Sequence, residues 1–270
     1  MAVCHGGPGG TDTLGPISAM IADIARVHRY DQRGCGRSSG GRPFTMARWV
    51  ADLEQLRLHW GHERWAVGGH SFGAALALAY ALEHPERTEA VLFVSCCIRL
   101  AGQPDCYAQF RHARLERIPE AEQARFAELR RRRGQAGGLN AEERSELRKM
   151  SARTEFGDPA AADRFGPQMD AELSMVNEVV NLELGADFAD YFAAGSVPDR
   201  LRGLDLPVLV MHGEADPRPV AAARALAAML PRSRLVVLSG VGHHPHLEAP
   251  QAFRQAVRDF LQLRPEDSQV

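Results

Sequence analysis

The pentapeptide Gly69-His70-Ser71-Phe72-Gly73 stands between an apolar run, Trp65-Ala66-Val67-Gly68, and an alanine- and leucine-rich stretch from Ala74 to Leu82. This is a G-x-S-x-G pattern at a strand-to-helix junction, the setting of a nucleophile elbow. The glycines have a steric reason. A serine held in a sharp, strained turn needs neighbours without β-carbons, because side chains at 69 and 73 would crowd the crossing backbones. The turn lifts the Ser71 hydroxyl clear of the sheet. The first amides of the following helix face the same spot, where they can receive a developing oxyanion. In isolation the five residues also fit a glycine-rich turn with a capping serine. Residues farther along the chain separate the two possibilities.

A serine nucleophile requires a base, and the base an orienting carboxylate, expected here in the chain order Ser, Asp, His. Pro207-Val208-Leu209-Val210-Met211 is a short β-branched run that ends in His212-Gly213-Glu214-Ala215-Asp216-Pro217. An aspartate just beyond the carboxyl end of a buried strand lies on the rim where such sheets hold ligands. A second run, Leu235-Val236-Val237-Leu238, leads into Ser239-Gly240-Val241-Gly242-His243-His244-Pro245-His246. His243 therefore sits in a glycine-rich loop before the last helix, within reach of Ser71. The expected triad is Ser71, Asp216 and His243. The alternatives, a helix cap at Asp216 and a polar loop residue at His243, do not explain why all three occur in order at strand ends.

Two glycine-rich stretches lie upstream: His5-Gly6-Gly7-Pro8-Gly9-Gly10 after Ala2-Val3-Cys4, and Asp31-Gln32-Arg33-Gly34-Cys35-Gly36-Arg37-Ser38 after Val27-His28-Arg29-Tyr30. Glycines at 6 and 7 let the backbone approach a substrate and aim an N–H at an oxyanion. The expected oxyanion hole is the N–H of Phe72 with that of Gly7, Gly6 being the less favoured donor. No G-x-x-x-x-G-K-[ST] pattern is present, so the glycines do not form a phosphate loop of that type.

With HGGPGG, DQRGCGRS, GHSFG, the Asp of HGEAD and the His of GVGHHPHLEAP in place, the chain resembles the α/β-hydrolase superfamily. Within it, HGGPGG with DQRGCGRS is most similar to the proline iminopeptidase family of serine aminopeptidases. The likeness covers residues 1–99 and 203–263, and the middle of the chain matches poorly. It implies Ser71 as nucleophile, Asp216 as orienting acid and His243 as base. It also implies release of an N-terminal proline or similar small residue, with the free amine held by glutamates. One such glutamate comes from a helix of an inserted cap, and Glu178 in Met175-Val176-Asn177-Glu178 is the matching position. Some members carry a second acid directly after the triad aspartate. Here Pro217 and Arg218 follow, which weakens the peptide reading. Where those peptidases often have Trp, this chain has Phe72, as many esterases and other hydrolases do.

The 270 residues, 45% of them apolar, suffice for one large core. A net charge of −2 favours neither nucleic acid nor an acidic membrane surface. No run of 18 apolar residues and no basic-then-apolar leader precedes His5, so a cytoplasmic protein with no membrane partner is expected. The five cysteines lack metal-type spacing and are expected as reduced thiols, with Cys96-Cys97 packed. No cofactor is implied. No metal site is expected either: His243, His244 and His246 lack a carboxylate or cysteine to complete one, and a solvated loop is expected there.

Strands are expected near 1–4, 26–30, 64–70, 90–95, 207–212 and 234–238, and helices near 14–25, 45–59, 72–84, 218–229 and 249–263. This alternation predicts an α/β-hydrolase fold, a mostly parallel sheet with helices on both faces. The expected organisation is a core from 1–98 and 203–270, with an inserted helical cap over 99–202. Leu129-Arg130-Arg131-Arg132-Arg133 reads as a solvated helix end before Gly134, since acids surround it in sequence. A connection over 135–140 comes next, with Asn140 or a neighbour capping the next helix. Two edge strands normally precede the HGGPGG strand, and residues 1–4 leave no room for them. A shortened sheet or an N-terminal truncation is therefore expected, with an open edge near Val27–Tyr30.

The expected chemistry is two-step acyl transfer to water on a small-molecule or short-peptide substrate, in a monomer or homodimer. An aminopeptidase is favoured by HGGPGG with DQRGCGRS. A carboxylesterase or lactonase is favoured by Phe72 and the missing acid. A non-catalytic small-molecule receptor on the same fold is the third reading.

Overall fold

In the computed structural model, which describes residues 1–135 and 137–262, every strand joins one six-stranded sheet in which all pairings are parallel. In chain order the first elements are β1 (Ala2–Cys4), α1 (Gly15–Met20), β2 (His28–Arg29), α2 (Met46–His59), β3 (Trp65–His70), α3 (Phe72–Glu83) and β4 (Thr88–Val94). Six helices come next without a strand: α4 (Cys106–Glu116), α5 (Glu120–Arg133), α6 (Ala141–Arg153), α7 (Pro159–Ser174), α8 (Glu178–Ala193) and α9 (Val197–Arg202). The chain then returns through β5 (Val208–Gly213), α10 (Val220–Met229), β6 (Ser233–Leu238), α11 (Pro245–Glu248) and α12 (Pro250–Gln262). Position 136 of the expected 135–140 connection and position 263 of the expected last helix lie outside the described residues.

The strand order is β2-β1-β3-β4-β5-β6. From β1 the chain adds β2 on one side, then crosses back to place β3 on the other. The order therefore reverses between β1 and β3, and a crevice at the carboxyl ends of these strands is where an open parallel sheet binds ligands. The registers Cys4 with Gly69, His70 with Val94 and Val94 with Met211 bring those ends level. His5, Ser71, Ser95 and the loop after β5 consequently emerge on one rim.

Period-two alternation divides the core. Val91, Phe93, Val208 and Val210 face one side with Trp49, Leu53 and most of α3. Leu92, Val94, Leu209 and Met211 face the other with Ile17, Ile21, Phe253, Val257 and Phe260. Residues 72–82 of α3 are all buried, which small alanines permit by letting the helix lie close against the sheet and its neighbours.

Most expected elements recur, with local differences. The 14–25 pattern forms a regular helix only to Met20, then turns over 21–24 to let Arg26 and Val27 run into β2; Ile21 is still buried. The expected helix from 249 is preceded by the separate short α11, divided from α12 at Ala249. β2 is the sheet edge, reduced to two residues. It is protected by its brevity, by the Arg29–Asp12 ion pair at 3.0 Å and by His28 stacked on Trp60 at 4.4 Å.

The helical insertion carries its own small cores, one of them built on Phe126, Leu129, Leu147 and Met150. Asn140 caps α6 in a full capping box with Glu143. Of the arginines ending α5, Arg132 pairs with Glu143 and Arg133 lies 3.9 Å from Glu178, while Arg131 bonds Gln135 and Arg130 lies over the Phe126 ring. The insertion also reaches the central helix α3: Phe188 of α8 packs edge-on against Phe72 at 5.4 Å. No helix among the described residues is long and apolar enough to cross a membrane.

Candidate active site

Ser71 has φ 56° and ψ −129°, a backbone conformation that L-residues rarely adopt. The strain is held from several sides. Its N–H donates to the Val94 carbonyl at 2.9 Å, and its own carbonyl accepts from Ala74 at 2.9 Å. A β-carbon at Gly69 would run into the Gly73 backbone, and one at Gly73 into the Cys4 carbonyl. The pattern thus comes from backbone crossings too tight for any side chain, as its sequence setting predicts.

The carboxylate of Asp216, on the loop after β5, is bonded to His243, on the loop after β6, with Oδ2 2.7 Å from Nδ1. Its other oxygen accepts from the Arg218 N–H at 2.9 Å and from the Arg218 guanidinium at 3.1 Å. Burial alone would push this carboxyl up, but the charges of His243 and Arg218 outweigh it and hold it well below the carboxylate range. Ser71 and His243 line one cavity of about 160 Å³, together with Gly6, Gly7 and His244. No hydrogen bond joins the Ser71 hydroxyl to the imidazole. Of the three residues, the acid and the imidazole are bonded, and the serine lines the same cavity as the imidazole.

The loop carrying His243 is fixed from three directions. Its N–H donates to the Glu155 carbonyl at 2.6 Å, and its carbonyl accepts from His70 Nε2 at 2.7 Å. Glu248 accepts from the N–H groups of Gly242 and Gly157, at 3.0 and 2.8 Å. A β-carbon at Gly242 would meet the Glu155 carbonyl, so this glycine permits the insertion to touch the loop. The histidine stretch is accordingly buried, with His243 and His246 only 4% and 6% exposed, which corrects the expectation of a solvated loop. A carboxylate does approach it: Glu155, His243 and His244 offer ligand atoms within 4.8 Å of one another. Glu155 is already bound by two arginines, Arg114 at 2.6 Å and Arg218 at 2.7 Å. Burial raises its carboxyl, and the two guanidinium charges overcome that and bring it to about 2.

The upstream glycine loops meet behind the cavity. His5 Nε2 accepts the Gln32 N–H at 3.0 Å, so its proton lies on Nδ1, 3.1 Å from the Gly6 carbonyl. Burial depresses His5 and keeps this neutral form. Asp31 accepts from the Asp12 N–H at 2.8 Å and from Arg37 at 2.7 Å, closing the second loop onto the first. From the insertion, Asn177 N–H donates to Gly9 O at 2.8 Å, its side chain to Gly34 O at 2.9 Å, and Asn181 to Pro8 O at 2.7 Å. Gly7, with φ 50°, lines the cavity, as Gly6 does; Phe72 is the first residue of α3. Its ring lies in the core against Trp49.

Glu178 is placed elsewhere. As the first residue of α8 it lies 3.9 Å from Arg133 and lines a neighbouring chamber rather than the Ser71 cavity. The insertion glutamates that line the Ser71 cavity are Glu155 and Glu172. Glu172, on α7, accepts from Gln168 at 2.8 Å, and burial raises its carboxyl. Both were missed in the sequence because they lie in helix-rich, charge-rich segments where one acid looks like another. Arg218 had a signal, its place two residues after Asp216.

The geometry agrees with likeness to known proteins. The alpha/beta hydrolase fold family matches residues 1–250. A proline iminopeptidase of Lactobacillus delbrueckii subsp. lactis is 25% identical over 275 residues, spanning 97% of this chain and 89% of that protein. Among solved structures, an alpha/beta fold family hydrolase from Bacillus anthracis str. Sterne superposes with a TM-score of 0.74 at 18% identity, over 96% of this chain and 91% of the other. The enol-lactonase from Burkholderia xenovorans LB400 gives 0.72 at 21% identity, over 96% and 90%. This chain belongs to the α/β-hydrolase fold family.

Proposed function

We propose that this protein is a serine hydrolase working through an acyl-enzyme, and that its reaction is the release of an N-terminal proline or similar small residue from short peptides. The observation that carries the chemistry is the 2.7 Å Asp216–His243 bond, set across one cavity from a strained Ser71 at the sheet's switch point. His243 takes the Ser71 proton as the oxygen attacks the carbonyl. Asp216 holds the proton on Nδ1 and stabilises the imidazolium. The N–H groups of Gly7 and Phe72 receive the oxyanion, each donor of this kind being worth about 3 kcal/mol of barrier. Water then attacks the acyl-enzyme with His243 again as base. Closure of the Ser71–His243 gap by substrate is ordinary, since such bonds tighten in the reacting complex.

The peptidase reading is supported by the 25% likeness to a proline iminopeptidase along nearly the whole chain and by Glu172. That acid lines the Ser71 cavity with Gln168 as its one side-chain partner among the described residues, whereas Glu155 is neutralised by two arginines. We therefore give the amine-holding role to Glu172 instead of Glu178. A carboxylesterase or lactonase is the second reading, favoured by Phe72 and by Pro217, which stands directly after Asp216 where some peptidases carry a second acid, while Arg218 binds Asp216 itself.

The test compares L-proline p-nitroanilide with p-nitrophenyl acetate. Ser71→Ala is expected to lower turnover of both by at least about a thousandfold. Glu172→Gln is expected to lower kcat/KM for the proline substrate by about tenfold or more, the scale of one charge-assisted hydrogen bond, with little change for the ester. Hydrolysis of the ester alone by the wild type would favour the second reading.

A further inference from the structure

Next to the Ser71 cavity lies a larger chamber of about 520 Å³, within the size range of pockets that enclose small ligands. The two adjoin, because Gly7, Arg114, Glu155, Leu173, Val176 and Arg218 line both. The larger chamber has an unusual wall: five arginines, Arg114, Arg133, Arg144, Arg148 and Arg218, against two glutamates, Glu155 and Glu178.

The arginines differ in how far they are satisfied. Arg114 and Arg218 share Glu155, and Arg218 also holds Asp216. Arg148 is paired with Asp170 at 2.9 Å. Arg133 has looser partners, Glu178 at 3.9 Å and the Asn181 side-chain oxygen at 3.2 Å. Arg144 bonds the Leu139 carbonyl, and no acid among the described residues comes within ion-pair distance of it. Two guanidinium forks from different elements, the end of α5 and the start of α6, thus border one chamber with donors to spare. Phe110, Leu139, Leu147 and Leu173 supply apolar wall beside them, which weakens competition from water. A planar fork fits a carboxylate through two parallel N–H···O bonds.

We infer that this chamber binds a free carboxylate of the substrate, with Arg144 and Arg133 as its main partners. The inference rests on the hydrolase reading and sharpens it. With the amine at Glu172 and the carbonyl at Ser71, the far end of the substrate is an acid. The favoured peptide is then a short one with an unblocked C-terminus. A small ester or lactone bearing a carboxylate satisfies the same chamber.

The experiment has a kinetic and a binding arm. Pro-Gly is compared with Pro-Gly-amide, and mono-p-nitrophenyl glutarate with p-nitrophenyl butyrate, in wild type, Arg144→Gln, Arg144→Lys and Arg133→Gln. Glutarate and its neutral diamide are titrated calorimetrically into the Ser71→Ala protein with and without Arg144→Gln. The free acid of at least one pair is expected to be favoured about tenfold or more in kcat/KM, through KM. That preference should fall toward one in both Gln variants and be partly kept by Arg144→Lys. Glutarate should bind with its Kd raised about tenfold by Arg144→Gln, and the diamide should not bind. Preference for the peptide acid or for the ester acid identifies which source of carboxylate the protein uses. Equal rates for acids and neutral analogues, with no glutarate binding, would overturn the carboxylate chamber and leave the hydrolase standing. Glutarate binding that depends on Arg144, in a wild type that turns over no substrate, would instead remove the hydrolase and keep the chamber.

Discussion

At Ser71 the backbone is strained because the surrounding bonds over-determine it, and the same bonds make its glycine neighbours irreplaceable. Gly73→Ala would drive a β-carbon into the carbonyl of Cys4 on the adjacent strand, at a fully buried crossing that cannot open without parting β1 from α3. It is expected to destabilise the fold by more than about 3 kcal/mol, or to prevent soluble expression, measured by urea unfolding. Glu155 is a different case, an acid whose partners are all inside the protein. Glu155→Gln leaves Arg114 and Arg218, both mostly withdrawn from solvent, with less to neutralise them, and a cost of about 3–5 kcal/mol is expected from breaking such a cluster. Because Arg218 also binds Asp216, activity should fall in this variant even where it remains folded. Full stability with unchanged kcat would show that the two arginines find other partners.

Among elements, α8 is the one that ties the insertion to the site. Asn177 caps it through the N–H groups of Val179 and Val180, and the same side chain donates to the Gly34 carbonyl. Its neighbour Asn181 donates to the Pro8 carbonyl across a separation of 173 residues. The loops after β1 and β2 therefore depend on the first turn of a helix far away in sequence. Asn177→Ala should cost about 1 kcal/mol for the cap and about 1 more for the lost bond to Gly34. Because Gly7 lies on the loop so held, kcat is expected to fall more than KM rises. Loss of stability with no change in kcat would mean that the glycine loop keeps its shape without α8.

For the whole molecule, five histidines withdrawn from solvent set the response to acid. His5, His70, His212, His244 and His246 are all held below the ordinary histidine range, chiefly by burial, His246 down to about 3. In the unfolded chain each takes up a proton near pH 6.5. Between those limits the unfolded state binds more protons than the folded one, so stability is complete above about pH 6.5 and declines as pH falls. Each histidine contributes a slope of up to about 1.4 kcal/mol per pH unit until the cluster opens. Below about pH 4.5 the protonation of Glu155, whose folded value is about 2, adds to the loss. Urea midpoints should therefore drop clearly between pH 7.5 and pH 5.5. A flat profile there would mean that these rings are solvated.

The parallel sheet, its strand ends and the order Ser71, Asp216, His243 were legible from the chain because they depend on local rules. β-branched runs, turn glycines and the elbow pattern each announce themselves within a few residues, and the strand rim on which they fall is a consequence of parallel connectivity. The contents of the cavity were not legible. Glu172 rather than Glu178 lines it, Glu155 reaches His243 from the insertion, and four insertion arginines join Arg218 around one chamber, because helices α4 to α8 pack in an arrangement that their charged, weakly periodic sequences do not encode locally. Backbone geometry near the sheet is set by neighbours in sequence and strand pairing. The choice of which charged side chain faces inward is made only when distant helices meet, and there burial and charge pairing decide it.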